Sequence, residues 1–244
     1  MDPWYDTHVH LDRFPATARE GLLERARAAG VLVVAVATDL ESSAAVVELA
    51  AGSPLVAGGA VGVHPRQARG AVRELTDLAA NPGVVAIGEC GFDGSGPGWE
   101  LQAETFLAQA SIARNLGLAL VLHIDGDDAW DQLATRGDAL EGLRVVRHYF
   151  TGDSVQAAWH AERGHFASFG NPLRRTSQLQ EITARYPPEL LLIETDSYPA
   201  PGRITQPADV VKVAEALAGV RGWSVPETRE RLANNTRIAF GLPG

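Results

Sequence analysis

A TIM (β/α)8 barrel is the fold the sequence predicts, and three observations predict it. Apolar runs rich in Val, Ile and Leu recur eight times, separated by stretches of helical periodicity, as expected of βαβ units around a buried parallel sheet. The chain has 244 residues, close to the roughly 250 that one such barrel takes. Metal-competent and acidic residues collect at the C-terminal ends of the runs, the face on which α/β barrels build their active sites. A doubly wound open sheet gives a similar string; the count of eight favours the barrel.

In order, the expected strands are Trp4 to His10, Val31 to Thr38, Leu55 to His64, Val84 to Glu89, Leu118 to His123, Leu143 to His148, His165 to Gly170 and Leu190 to Asp196. Helical patterns fall at Ala16 to Ala29, Leu101 to Leu116, Gln156 to Arg163, Ala208 to Ala218 and Pro226 to Ala239. No Pro/Gly/Ser-rich linker, charge run or repeat divides them, so residues 1–244 are expected to form a single domain. The glycine-rich stretch from Asp93 to Gly98 is short enough for a βα loop.

With 45% hydrophobic and 21% charged residues, the chain has the composition of a globular protein, neither disordered nor membrane-embedded. The opening Met-Asp-Pro-Trp-Tyr-Asp has no basic leader, and no apolar run reaches the ~18 residues of a membrane span. A cytoplasmic location is expected. Cys90 is the only cysteine, which excludes an intrachain disulfide and a thiolate-rich zinc site, so any metal must be held by His and carboxylate. A net charge of -9 argues against a broad duplex-gripping surface. It leaves nucleic acid open as a substrate, because two divalent cations in a cleft attract a phosphodiester locally.

The residues ending the runs are His8 and His10, His64, Glu89, His123, His148, Glu194 and Asp196. A lone histidine is more often a core or surface residue than a ligand, but five of the seven histidines fall at these converging positions. His8 and His10 are two apart on an expected strand, so alternation turns both imidazoles to one side, a chelating geometry. Asp6 has the same parity one step deeper and either orients a ligand imidazole or caps the barrel floor. His160 and His165 lie away from the mouth and are expected to be structural.

The motifs Asp6-Thr-His-Val-His10, Gly62-Val-His-Pro65, Ile87-Gly-Glu-Cys-Gly-Phe-Asp93, His123, His148-Tyr-Phe-Thr-Gly152 and Glu194-Thr-Asp196, in this order, resemble those of the TatD family of metal-dependent deoxyribonucleases. The resemblance extends to Gln102, Phe106 and the tail from Asn235 to Phe240, and so spans essentially the whole chain. It implies two divalent metal ions (Zn, Mg or Mn), one held by His8, His10 and Asp196 and the other by His123 and His148, with Glu89 bridging them. Such a pair, roughly 3.5 to 4 Å apart, activates water and offsets charge in an in-line displacement at phosphorus. Glu89 and Asp196 are then the catalytic carboxylates, Asp196 accepting the proton of the nucleophilic water. Related amidohydrolase barrels bridge their metals with a carboxylated lysine. Lys212, the only lysine, follows the last strand, which leaves the bridge to Glu89.

After the strand-five histidine the family usually has a small residue and an arginine; here the segment is His123-Ile-Asp125. Asp125 repels a phosphate unless paired, so Arg66 and Arg203 are the replacement grips, the alternative being ordinary solvated arginines. His64 either contacts the substrate phosphate or the activated water, or is structural. Asp93 either binds substrate or caps the following helix.

The expected function is phosphodiester hydrolysis at accessible single-stranded DNA ends, in repair, turnover or anti-phage defence. The alternative, favoured by Asp125, is a small-molecule amidohydrolase or lactonase on the same site. A noncatalytic scaffold is disfavoured because every ligand position holds a competent donor.

Overall fold

The computed structural model describes residues 2–202 and 205–244. Strands β1 (Trp4–Val9), β2 (Val31–Val36), β3 (Val56–Val61), β4 (Val84–Asp93), β5 (Ala119–Asp125), β6 (Val145–Arg147), β7 (Phe166–Phe169) and β8 (Leu191–Ile193) pair in parallel in sequence order. Helices α1 (Ala16–Ala28), α2 (Leu40–Gly52), α3 (Leu75–Ala79), α4 (Trp99–Leu116), α5 (Asp127–Ala134), α6 (Ser154–Glu162), α7 (Ser177–Arg185) and α8 (Val210–Arg221) alternate with the strands, and α9 (Val225–Phe240) ends the chain. The TIM barrel expected from the eight apolar runs is the fold observed. The seam between β1 and β8 is drawn together by the Thr7 hydroxyl donating to the Ile193 carbonyl at 2.9 Å, by His10 N–H donating to Ser197 O at 3.0 Å, and by a parallel bridge between Val9 and Ser197.

Side-chain alternation sorts the strands into two apolar layers. Val33 and Ala35 face the helices, whereas Val34 and Val36 pack with Ala60, Ala86, Val121, Val146 and Leu192. Among the described residues the second layer draws on no α-helix but α9, whose Ala239 and Phe240 join it, so it is the barrel interior, with Phe240 as a plug. At 2% exposure that ring is a deletion worth roughly 3–5 kcal/mol. Asp39 caps α2, Asp153 caps α6 and Ser224 caps α9, each accepting a backbone N–H of the first turn.

Several strands stop earlier than the sequence suggests. β1 ends at Val9, β3 at Val61, β6 at Arg147 and β8 at Ile193, so His10, His64, His148, Glu194 and Asp196 stand on the first residues of the loops rather than inside strands. The reverse holds for β4, which runs on past Glu89 to Asp93 because Cys90 to Asp93 find partners on β5 from Leu122 to Asp125. The register slips between Ile87 and Cys90, and this irregularity carries Glu89 into the mouth. Gly62 and Gly88 allow the approach of the two chains here: a Cβ on Gly62 would lie 2.5 Å from the Gly88 carbonyl carbon.

His160 and His165 form a buried pair with their Nδ1 atoms 3.0 Å apart, enclosed by Trp130, Trp159 and Phe150, in keeping with the structural role expected of them. One Nδ1 donates and the other accepts, so the pair holds a shared proton and resists a further one. Burial, with Arg163 nearby, pushes His165 down to about 4. A histidine depressed in the fold stabilises it above the unfolded value of about 6.5, and that contribution is lost as pH falls from there towards 4. Lowering pH from 7.5 to 5 should therefore remove roughly 2 kcal/mol through this residue. His165→Asn should flatten that part of the pH dependence of the urea midpoint, and an unchanged slope would refute it.

Candidate metal centre

Glu89 stands at the middle of the mouth, 2% exposed, and its two oxygens face different groups. Oε1 lies 2.7 Å from His123 Nδ1 and 2.8 Å from His148 Nε2. Oε2 lies 3.4 Å from His8 Nε2 and 3.6 Å from His10 Nε2, and His10 Nε2 is 3.4 Å from Asp196 Oδ1. Donor atoms cluster accordingly: His8, His10 and Asp196 form one group within ion-holding reach, and Glu89, His123 and His148 another. Burial alone would raise the Glu89 carboxyl, but the His148, His8 and His123 rings outweigh it and hold Glu89 well below the usual carboxylate range. Asp196 is likewise lowered, burial being overcome by His10 and its neighbouring imidazoles, so it is an ionised acceptor at neutral pH.

Behind the rings, fixed acceptors set the tautomers. His10 Nδ1 donates to the Val36 carbonyl at 2.9 Å, which leaves the Nε2 lone pair facing Glu89 and Asp196. His148 Nδ1 sits 3.0 Å from Glu194 Oε1, which also accepts the Tyr149 N–H at 2.9 Å. His123 Nε2 sits 3.0 Å from Asp93 Oδ2. Burial lowers His148, yet Glu89 and Glu194 on either side prevail and push it up to about 10. His8 is different: both its ring nitrogens are buried without a hydrogen-bond partner, at 0% exposure. Buried imidazole nitrogens this close to carboxylates and left unsatisfied fit a cation between them, and the His/carboxylate set is the donor chemistry of a borderline or hard divalent ion.

His64, Asp93 and His123 form a third cluster of donors, but the ring of His64 is turned the wrong way to bind. Its Nδ1 accepts the Arg66 backbone N–H at 3.1 Å, so in the neutral ring the proton is on Nε2, 3.6 Å from Glu89 Oε1. Burial foremost holds His64 down to about 3, which keeps the ring neutral. His64 thus offers one N–H donor to the cavity.

The cavity is about 480 Å³, lined by His10, His64, Glu89, His123, His148 and Asp196 among others. Of the expected substrate contacts, His64 and Arg66 reach it. Asp93 does not: its fully buried carboxylate turns to His123, to the Ser95 N–H at 2.7 Å and to Arg66 Nε at 2.8 Å. It orients a ring rather than facing a ligand. Arg66 extends on to Asp125, Nη2 lying 3.5 Å from Oδ2, and so offsets the carboxylate that would repel a phosphate. Arg203 lies outside the described residues. Asp6 follows neither expectation: its carboxylate accepts from Thr195 N–H at 2.8 Å and from the Thr195 hydroxyl, anchoring the loop that carries Glu194 and Asp196.

Sequence reasoning marked Glu194 by position without a role, and missed Tyr149, Thr151 and Tyr198 along the cavity and Arg147 beside His148. For Arg147 the signal was a charged residue directly before the histidine that ends its run. Glu194→Gln, which weakens the acceptor behind His148, should lower metal affinity about 10- to 100-fold in a chelator competition. Equal affinity would refute the positioning role.

A (β/α)8 barrel with imidazole and carboxylate donors massed at its C-terminal mouth defines a metal-dependent hydrolase. The chain belongs to the family described as TatD related DNase, whose family model matches residues 5–241. A metal-dependent hydrolase of Mycobacterium tuberculosis named TatD is 33% identical, the match covering 97% of each chain. The 3'-5' ssDNA/RNA exonuclease TatD of Escherichia fergusonii is also 33% identical, over 93% of this chain and 94% of that one. Among solved structures, the TatD homologue YjjV of Escherichia coli K12 superposes with a TM-score of 0.86 at 28% identity, covering 98% of both chains. Among the described residues no helix is long and apolar enough to cross a membrane.

Proposed function

We propose that this chain is a cytoplasmic phosphodiester hydrolase that uses two divalent ions (Zn, Mg or Mn) to release nucleotides from single-stranded DNA ends. The observation that carries the reading is the division of Glu89: Oε1 addresses His123 and His148, Oε2 addresses His8 and His10. A carboxylate so placed would be shared between the two ions. When bound, such a pair of ions supplies an activated water and charge stabilisation at a phosphoryl group. The protein's share is to place the other groups. His10, His123 and His148 turn one ring nitrogen each to the cavity on rings locked from behind by Val36, Asp93 and Glu194, and would give up any proton on that nitrogen to hold an ion. Asp196, ionised and beside His10, takes the proton of the attacking water on a carboxylate oxygen. His64 donates its Nε2–H to a phosphoryl oxygen, a role its tautomer permits without titration.

The exonuclease name of a relative 33% identical supports the substrate class. The amidohydrolase or lactonase reading drew on Asp125, whose charge Arg66 offsets from 3.5 Å. The test is to load the protein with Mg, Mn or Zn, measure bound metal per chain, and follow a 5′-end-labelled single strand. Two equivalents of metal and a ladder of shortened strands are expected; an intact strand with all three metals refutes the proposal, and turnover of an ester or lactone panel instead establishes the alternative.

A further inference from the structure

Arg147 is the last residue of β6 and only 3% exposed. Its guanidinium spans the ends of two strands, Nη1 donating to the His148 carbonyl and Nη2 to the Ile124 carbonyl at 2.8 Å, with the Phe150 ring 5.9 Å from its centre. Two of an arginine's five N–H donors suffice for those bonds. The charge is another matter, because a buried guanidinium is ordinarily paired with a carboxylate. The nearest one in sequence to its carbonyl partner, Asp125, is 63% exposed and turned to Arg66. Among the described residues no carboxylate forms an ion pair with Arg147. Burial works against the charge, Glu194, Glu89 and Asp125 favour it without pairing with it, and the guanidinium held on the two carbonyls lines the same cavity as Glu89, His123, His148 and Asp196.

The two other arginines on that wall are differently placed: Arg66 is spent on Asp93 and Asp125, and Arg13 is exposed and donates to the Thr38 hydroxyl at 3.1 Å. We propose that Arg147 is a specificity-determining residue, its fixed positive charge drawing a phosphate of the substrate strand to the β5–β6 side of the cavity. A guanidinium clamped between two backbone carbonyls needs no ordering when the anion arrives, which is the condition for a preorganised anion site. The identity of the anion as a phosphate rests on the phosphodiester reading of the site; the presence of an anion site there does not.

Arg147→Gln removes the charge while keeping an amide that can reach a carbonyl, and Arg147→Lys keeps the charge without the fork. On a single-stranded oligothymidylate, KM of the metal-loaded Gln variant should rise about tenfold with a much smaller change in kcat. The slope of log KM against log salt should fall by about 0.7, the signature of one lost phosphate contact on a single strand. Lys should restore the slope and part of the affinity. Calorimetry with inorganic phosphate and thymidine 5′-monophosphate should show the same weakening in Gln at unchanged metal content. An unaltered salt slope with unaltered phosphate affinity overturns the proposal and leaves Arg147 a strut between β5 and β6, whatever its effect on melting temperature. If the wild type cleaves no DNA, the phosphodiester reading fails on its own, and the calorimetric comparison still decides Arg147.

Discussion

Glu89→Ala should abolish nucleotide release, with a loss of roughly a thousandfold or more, while the barrel stays folded. The carboxylate faces both donor clusters, Oε1 towards His123 and His148 and Oε2 towards His8 and His10, so its removal should uncouple them and lower metal content. Stability should fall as well, because the His148, His8 and His123 rings outweigh the cost of burying Glu89; release of protons from those imidazoles limits the loss. Metal analysis, a melting curve and the labelled-strand assay on one preparation separate these effects. Retention of two equivalents of metal and of more than a tenth of the activity would rule out Glu89 as the bridge.

Asp196→Asn is the second large effect. The amide preserves the shape of the side chain and one oxygen towards His10, which lies 3.4 Å from Asp196 Oδ1, but it cannot take up a proton. A positioned general base contributes about 10²- to 10⁴-fold, so kcat should fall by that factor while KM moves little. Because neighbouring imidazoles hold the Asp196 carboxyl low, the wild-type rate should be insensitive to this group near neutral pH and fall only in acid. That acid limb should change in the Asn variant. A loss under tenfold would assign the proton to another group.

The candidate ligands were legible because they fall at the ends of apolar runs, and a barrel brings run ends together whatever their separation in sequence. His8, His10, Glu89, His123, His148 and Asp196 all meet as that logic requires. The groups behind them were not legible in the same way. Asp93 orients His123 from 30 residues away, Glu194 orients His148 from 46, and Asp6 anchors Thr195 from 189. These pairings depend on side-chain direction, which periodicity does not encode at a strand end. The sequence around Asp93 reads as a loop because glycines follow it, yet β5 offers a partner edge and the strand continues. Arg147 was passed over because the run from Leu143 to His148 also holds Arg144, and nothing in the pattern says which of the two turns to the mouth.

Tyr149 and Asp196, each just past a short strand, have φ angles of 43° and 49°, in the left-handed region where a side chain costs about 1–2 kcal/mol relative to glycine. Both line the cavity. A library selected for heat resistance alone should therefore drift towards glycine or asparagine at these two positions, and one selected for turnover should not. The gap between the two outcomes, position by position, measures how far each side chain is kept for what it does to a ligand rather than for holding the barrel together.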